Sequence, residues 1–161
     1  MRERLLEILE KDGRRAAAEL AVMLNVSEQE IIDELKKLEQ EKVICGYPAL
    51  VNWDKAGADN VTALIEVKVT PQRGQGFDSL AERIYKFKEV KALYLMSSGG
   101  FDFTVMVEGK NMKEVALFVA NKLAPMESVV STATCFVLKK YKQHGVILEE
   151  EKTDERMIVS P

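Results

Sequence analysis

No apolar run in the sequence approaches the roughly 20 residues of a membrane-spanning helix, so an integral helical membrane protein is excluded. Cysteine is scarce. Cys45 and Cys135 stand far apart, without a CxxC pair or a neighbouring histidine. Such thiols are expected to be reduced and packed, neither bridged nor metal-bound. His144 is the only histidine and lies near the acidic end, which leaves little to build a histidine-based catalytic or metal centre on. No cofactor is expected. Four prolines and nine glycines in 161 residues leave little room for long disordered stretches. The single tryptophan, Trp53, is expected to pack in a linker. Positive charge is also in short supply. The net charge of −3 does not advertise nucleic-acid binding. Met1-Arg2-Glu3-Arg4 leads into an amphipathic pattern instead of the apolar core of a signal peptide, so a cytoplasmic location is expected.

What is there is ordinary soluble composition, 47% hydrophobic and 30% charged. Leu5, Leu6, Ile8 and Leu9 give residues 2–11 one apolar helical face, stopped by Asp12-Gly13. A second helix, 15–24, is rich in alanine, which favours helix and allows close packing. After the turn Asn25-Val26, the spacing of Ser27 and Glu30 predicts a capping box. Ile31, Leu35 and Leu38 then line one face of a third helix. Helix, short turn and capped helix form the helix-turn-helix pattern. Residues 43–47 and 49–53 read as extended, with Pro48 suited to an edge strand. The polar stretch 54–60 reads as a domain boundary.

Beyond it, Val61, Ala63, Ile65, Val67 and Val69 alternate with polar residues, as in a half-buried strand. Residues 71–76 read as loop. Ser79 and Glu82 repeat the capping-box spacing and open a helix to about Lys88, with Leu80, Ile84 and Phe87 inward. Strands are expected at 90–97 and 101–107, joined by Ser98-Gly99-Gly100. Two glycines between strands signal a tight hairpin, and bare backbone N–H groups there can hold a small anion. Asn111 caps a helix with Val115, Val119 and Leu123 inward, and 129–141 is a last strand. The order β-α-β-β-α-β predicts a ferredoxin-like antiparallel sheet with two helices on one face. The other face, with Tyr94, Met96, Met106 and Phe136 as candidates, is expected to be buried against a second subunit. Residues 149–161, with five acids and two bases, read as a tail whose Met157-Ile158-Val159 could dock on a neighbour.

The resulting fold class is α+β. A winged-type helix-turn-helix domain occupies 1–52, a strand-like linker runs to about 60, a ferredoxin-like domain spans 61–145, and an acidic tail covers 146–161. This order resembles the Lrp/AsnC (feast/famine) family of transcriptional regulators. Leu38-Glu39-Gln40-Glu41-Lys42-Val43-Ile44-Cys45-Gly46-Tyr47 is similar to the family's segment leaving the recognition helix. Ser98-Gly99-Gly100-Phe101-Asp102-Phe103 is similar to its effector turn. The resemblance implies a DNA-binding regulator and not an enzyme. It also implies an amino-acid-like effector held between dimers, and dimers that assemble into octamers. One departure stands out. Residues 1–52 hold eight Lys/Arg and eleven Asp/Glu, and phosphate neutralisation supplies most of non-specific DNA affinity. Binding is therefore expected to be weak per domain and to need multivalent assembly.

Ser27, Gln29, Glu30, Asp33, Lys36 and Lys37 of the third helix are the candidates to face double-stranded DNA. Gln29 can read adenine, and the lysines can reach phosphate or guanine. A solvated helix face is the alternative for each. Arg14 and Arg15, at the start of the helix that crosses the backbone in this motif, are candidates for phosphate. The resemblance makes Ser98, Gly99, Gly100, Phe101 and Asp102 the effector turn, with Asp102 facing the ammonium group. An Asx turn would need Asp102 equally. Thr132 and Thr134 could bind a ligand carboxylate or serve only as strand formers. Two alternatives remain at this level. One is a sirohaem-decarboxylase-like enzyme subunit, for which the second half lacks a concentrated arginine cluster. The other is an effector-sensing oligomer that no longer binds DNA.

Overall fold

The computed structural model describes residues 1–70, 76–97 and 99–149. They form two compact units that divide after Leu50.

The first unit is three helices: α1 (Arg2–Lys11), α2 (Ala17–Leu24) and α3 (Glu28–Gln40). Leu5, Leu20, Ala21, Ile31 and Leu38 are buried together, with Leu6, Leu9, Leu35 and Ile44 packed around them. Ala21 is the smallest residue of this buried cluster. Asn25 takes the left-handed conformation (φ 54°, ψ 49°) that ends α2, a geometry asparagine tolerates better than most residues. Ser27 and Glu30 form the expected capping box. Helix α2 starts at Ala17, two residues later than the sequence pattern indicated, so Arg14 and Arg15 lie in the loop before it. Residues 43–50 form no strand in the described chain, so the wing expected of a winged domain is not built here.

The second unit has the order β1 (Val61–Val69), α4 (Asp78–Tyr85), β2 (Val90–Leu95), β3 (Phe103–Gly109), α5 (Met112–Phe118), a π-helical turn (Val119–Leu123), β4 (Val129–Phe136), β5 (Lys142–Gln143) and β6 (Val146–Ile147). The antiparallel sheet runs β2-β3-β1-β4, as a ferredoxin-like fold requires. Ala63, Ile65, Val67, Phe103, Val105 and Val107 are buried against Leu80, Ile84, Val115, Phe118 and Leu123. The helices therefore cover one face, and Asn111 caps α5 by accepting from Glu114 N–H at 2.8 Å. A Cβ at Gly109 would lie 3.0 Å from Val115 Cγ2, so a larger residue here would push on the Val115 side chain where β3 approaches α5.

Several expectations change. Helix α4 begins at Asp78 with Phe77 as its cap and no side-chain cap bond, so Ser79 sits inside the helix and its box is not formed. The two glycines do not make a tight two-residue turn. The last ladder pair is Leu95↔Phe103, and residues 96–102 form a longer connection closed by Met96 N–H donating to Asp102 O at 2.7 Å. Phe136 pairs directly with Ala63, and paired residues of a ladder share a face. It therefore belongs to the helix-covered side and packs on that core. Tyr94 and Met106 do lie on the open side, paired with Thr104 and Ala92 respectively. The last strand stops at Phe136, and a small β5–β6 hairpin follows. Its turn residues, His144 (φ 47°) and Gly145 (φ 80°), both have the positive φ that a tight hairpin demands. Ser98, residues 71–75 and Met157-Ile158-Val159 lie outside the described residues.

Candidate DNA-reading and effector sites

Helix α3 advances by about 100° per residue. Ile31 and Leu38 point into the core, so Gln29, Asp33, Lys36 and Gln40 fall on the opposite, exposed side. This outward stripe carries one acid and one base. The remaining acids of α3 lie mostly on its flanks, and most of those are engaged. Glu30 accepts from the Ser27 N–H at 2.8 Å and hydroxyl at 2.7 Å. The Ser27 hydroxyl, followed by its N–H, holds the Glu30 carboxyl below its ordinary value. Arg2 of α1 bonds Glu41 and lies 3.7 Å from Glu34. That bond with Arg2 keeps the Glu41 carboxyl below its usual range. Tyr47 OH donates to Glu39 at 2.9 Å. Burial and this carboxylate together push the phenol upward. Three of the acids that make the sequence look hostile to DNA are thus tied to neighbours on the flanks, and a fourth is spent on the cap.

Before α2, Asp12 accepts from the Arg14 N–H at 3.2 Å and lies 3.3 Å from Arg14 Nε and 3.5 Å from Arg15 Nε. The Arg14 N–H, then its side chain, hold the Asp12 carboxyl below its ordinary value. The Arg14 side chain is 93% exposed, so it is free to swing toward a phosphate at little cost. Lys36 and Lys37 are exposed. Gln29 Nε2 donates to Asp33 Oδ1 at 3.0 Å, a link within α3 that the sequence reading did not anticipate, although the i, i+4 spacing of the two residues permits it. Ser27 and Glu30 bond to each other, which makes them positioning groups for the helix start.

In the second unit, the effector candidates do not gather on one face. Asp102 N–H donates to Val67 O at 2.9 Å, and Asp102 Oδ2 accepts from Val69 N–H at 2.9 Å. The same oxygen lies 3.4 Å from Lys68 Nζ, and Lys68 leaves the sheet on the open side. Asp102 is therefore a clasp between β3 and β1 as well as a candidate ligand group. Thr132 and Thr134 pair with Val67 and Ile65, which places them on the helix-covered side of the edge strand β4. Phe101 is half-buried, and a Cβ at Gly99 would meet nothing within 4 Å. A cleft of about 460 Å³ opens between α4 and the edge strand β2. Phe77, Ala81, Tyr85, Leu93, Leu95 and Phe103 line it, and the Leu95–Phe103 pair joins it to the glycine-bearing loop. The sequence reading missed this cleft, because its lining comes from three separate elements. Among the described residues no group of His, Cys, Asp and Glu could hold a metal ion. No described helix is long and apolar enough to cross a membrane.

Comparison with known proteins agrees with this geometry. Residues 3–39 match the AsnC-type helix-turn-helix domain, and residues 62–147 match the Lrp/AsnC ligand binding domain. The chain is 48% identical over 158 residues to the HTH-type transcriptional regulator YugG of Bacillus subtilis, covering 98% of this chain and 95% of that protein. It is 28% identical to the proline dehydrogenase transcriptional activator of Rhizobium radiobacter, covering 89% and 90%. In structure it is similar to AsnC of E. coli, with a TM-score of 0.66, 24% identity, and 86% and 91% of the two chains covered. A Neisseria meningitidis regulator solved as its L-Met complex superposes with a TM-score of 0.69 at 24% identity, covering 86% and 88%. Two matched domains in the right order, and a relative of nearly equal length, place the molecule among regulators and not enzymes: the chain belongs to the Lrp/AsnC family of transcriptional regulators.

Proposed function

We propose that this regulator reads double-stranded DNA through α3, works in the cytoplasm as a dimer or octamer, and responds to a small amino-acid-like effector at the glycine-bearing loop. The observation that carries the DNA reading is the division of charge on α3. Glu34, Glu39 and Glu41 are tied to Arg2 or Tyr47, which leaves Gln29, Lys36 and Gln40 outward beside Asp33. Arg14 and Arg15 supply phosphate contacts next to the helix pair. The first unit still brings few cations, so several copies must act on one duplex for tight binding. The exposed Tyr94 and Met96 on the open sheet face favour a second copy there.

At the sensor, the Asp102 carboxylate would share its charge with the effector's ammonium. The apolar cleft beside Leu95 and Phe103 suits the effector's side chain. Thr132 and Thr134, on the other side of the sheet from Asp102, would have to come from a second copy to reach the same ligand. A gel shift on the promoter region upstream of the protein's own gene, repeated with a panel of amino acids, tests the whole reading. Retarded complexes that respond to at least one amino acid are expected. A protein that leaves this duplex unshifted at micromolar concentration and low salt overturns the DNA half. Light scattering giving a stable 18 kDa monomer overturns the assembly.

A further inference from the structure

Asp33 stands out because of where it is and what holds it. It is the one carboxylate on the outward stripe of α3, among the described residues. An exposed helical acid ordinarily takes a lysine three or four residues on. Lys36 and Lys37 occupy those two positions, yet among the described residues no basic side chain pairs with Asp33. It accepts instead from Gln29 Nε2, one turn toward the N-terminus, at 3.0 Å. The N-terminal part of a recognition helix is the part that meets base edges, and both residues lie in it.

The chemistry of the pair is restrictive. A carboxylate only accepts hydrogen bonds, so it fixes the Gln29 amide with its nitrogen toward Asp33 and its oxygen away. Gln29 keeps one N–H and its carbonyl, the two groups needed to pair with adenine N7 and N6. Asp33 offers a second carboxylate oxygen, Oδ2, that needs a donor. In the major groove the donors are the amino groups of cytosine (N4) and adenine (N6). Guanine and thymine present acceptors there and would repel it. Cytosine presents its amino group without the neighbouring acceptor N7 of a purine, so it fits an acceptor-only side chain best. A negative charge at this place weakens binding to every sequence through the phosphates, and a cytosine amino group offsets that loss at the sites that supply it.

Resting on the reading of α3 as the DNA-contacting helix, we propose that Asp33 is a specificity-determining residue. It selects cytosine at one operator position and orients Gln29 for an adjacent adenine. The acid trades general affinity for discrimination.

The test is selection from a random duplex pool with wild type, Asp33→Ala and Asp33→Asn. Fluorescence anisotropy on the selected duplex and its single-base variants follows. For wild type, an enriched cytosine is expected, whose replacement by thymine weakens binding by about tenfold or more. Asp33→Ala should lose that preference and bind unselected duplex more tightly than wild type. Asp33→Asn, which gains a donor, should move the preference from cytosine to adenine. Thermal melting of each variant checks that this exposed substitution leaves the fold intact. Unchanged base preference in both variants, or a wild-type preference for guanine or thymine at the position these variants alter, overturns the proposal and leaves the DNA reading standing. A wild type that selects no sequence overturns the proposal too. A wild type that binds no duplex at all removes the underlying reading with it.

Discussion

Replacing Asp102 separates its bond in the fold from the role proposed for it, because one oxygen accepts from Val69 N–H while the charge is what the proposed effector's ammonium would use. Asp102→Ala removes the bond from Val69 N–H, 2.9 Å long and partly buried, and strips that donor of its acceptor. Hydrogen bonds to a charged group are worth about 1.5–3 kcal/mol. The Lys68 contact, at 3.4 Å with its lysine 39% exposed, adds at most about 1 kcal/mol. A loss of about 2 kcal/mol follows, which lowers the melting temperature of a unit of this size by about 10 °C. Asp102→Asn keeps a carbonyl oxygen for Val69 N–H and loses only the charge, so it should cost about 1 kcal/mol or less. Both variants should lose most of the amino-acid response. Thermal denaturation followed by circular dichroism, beside calorimetric titration of the same preparations with an amino-acid panel, reads both quantities. If Asp102→Asn melts as low as Asp102→Ala, the hydrogen-bond account of the clasp is wrong. If Asp102→Asn binds a ligand of the wild type with unchanged affinity, Asp102 is a clasp alone and the ammonium site lies elsewhere.

The double variant Lys36→Glu, Lys37→Glu should weaken DNA binding broadly and reduce the slope of log K against log salt by about 2, measured by anisotropy across salt concentrations. Arg2→Gln frees Glu34 and Glu41 on the flank of α3. It should lower the melting temperature only slightly and weaken non-specific DNA binding several-fold at low salt, as a melt and a gel shift would show. Glu89 is held by Lys122 at 2.6 Å, and that bond keeps its carboxyl below the ordinary value. A carboxylate depressed on folding stabilises above its unfolded pKa, and the gain is lost as pH falls through the folded value. Melting temperatures taken from pH 7 down to 3 should therefore fall more steeply for wild type than for Glu89→Gln.

Local chemistry was legible where one residue decides it. Ser27 and Glu30 specify the start of α3, and the alternation from Val61 to Val69 specifies β1 with both ends correct. What depended on pairing was not. Phe136 is apolar on either reading, and only its partner Ala63 assigns it to the helix-covered side. The extended residues after α3 contain strand formers, but a strand exists only where a second strand pairs with it, and residues 43–50 find none among the described residues. Gly99 and Gly100 signalled a turn correctly, while its length was set by where the β2–β3 ladder stops. The hairpin at His144-Gly145 was missed because non-glycine residues at positive φ are uncommon overall, although histidine is among those that adopt it more readily. Among the candidate DNA contacts, the stripe could be drawn on a helical wheel. The ties of Glu34 and Glu41 to Arg2 could not, since they cross from one helix to another over more than thirty residues.

The position of β1 in the sheet has a consequence for synthesis. It is an inner strand, paired with β3 on one side and with β4, which emerges some sixty residues later, on the other. The three-helix unit closes on contacts within residues 1–50 and can fold as soon as it leaves the ribosome. The sheet must wait for Val129–Phe136, and until then β1 carries a bare edge able to pair with any passing strand. A chain halted by a premature stop or nicked between Leu50 and Val129 therefore leaves a DNA-reading unit without its sensor. Such a fragment would still occupy operators, weakly and deaf to the effector, and so could poison the response of intact copies in the same cell.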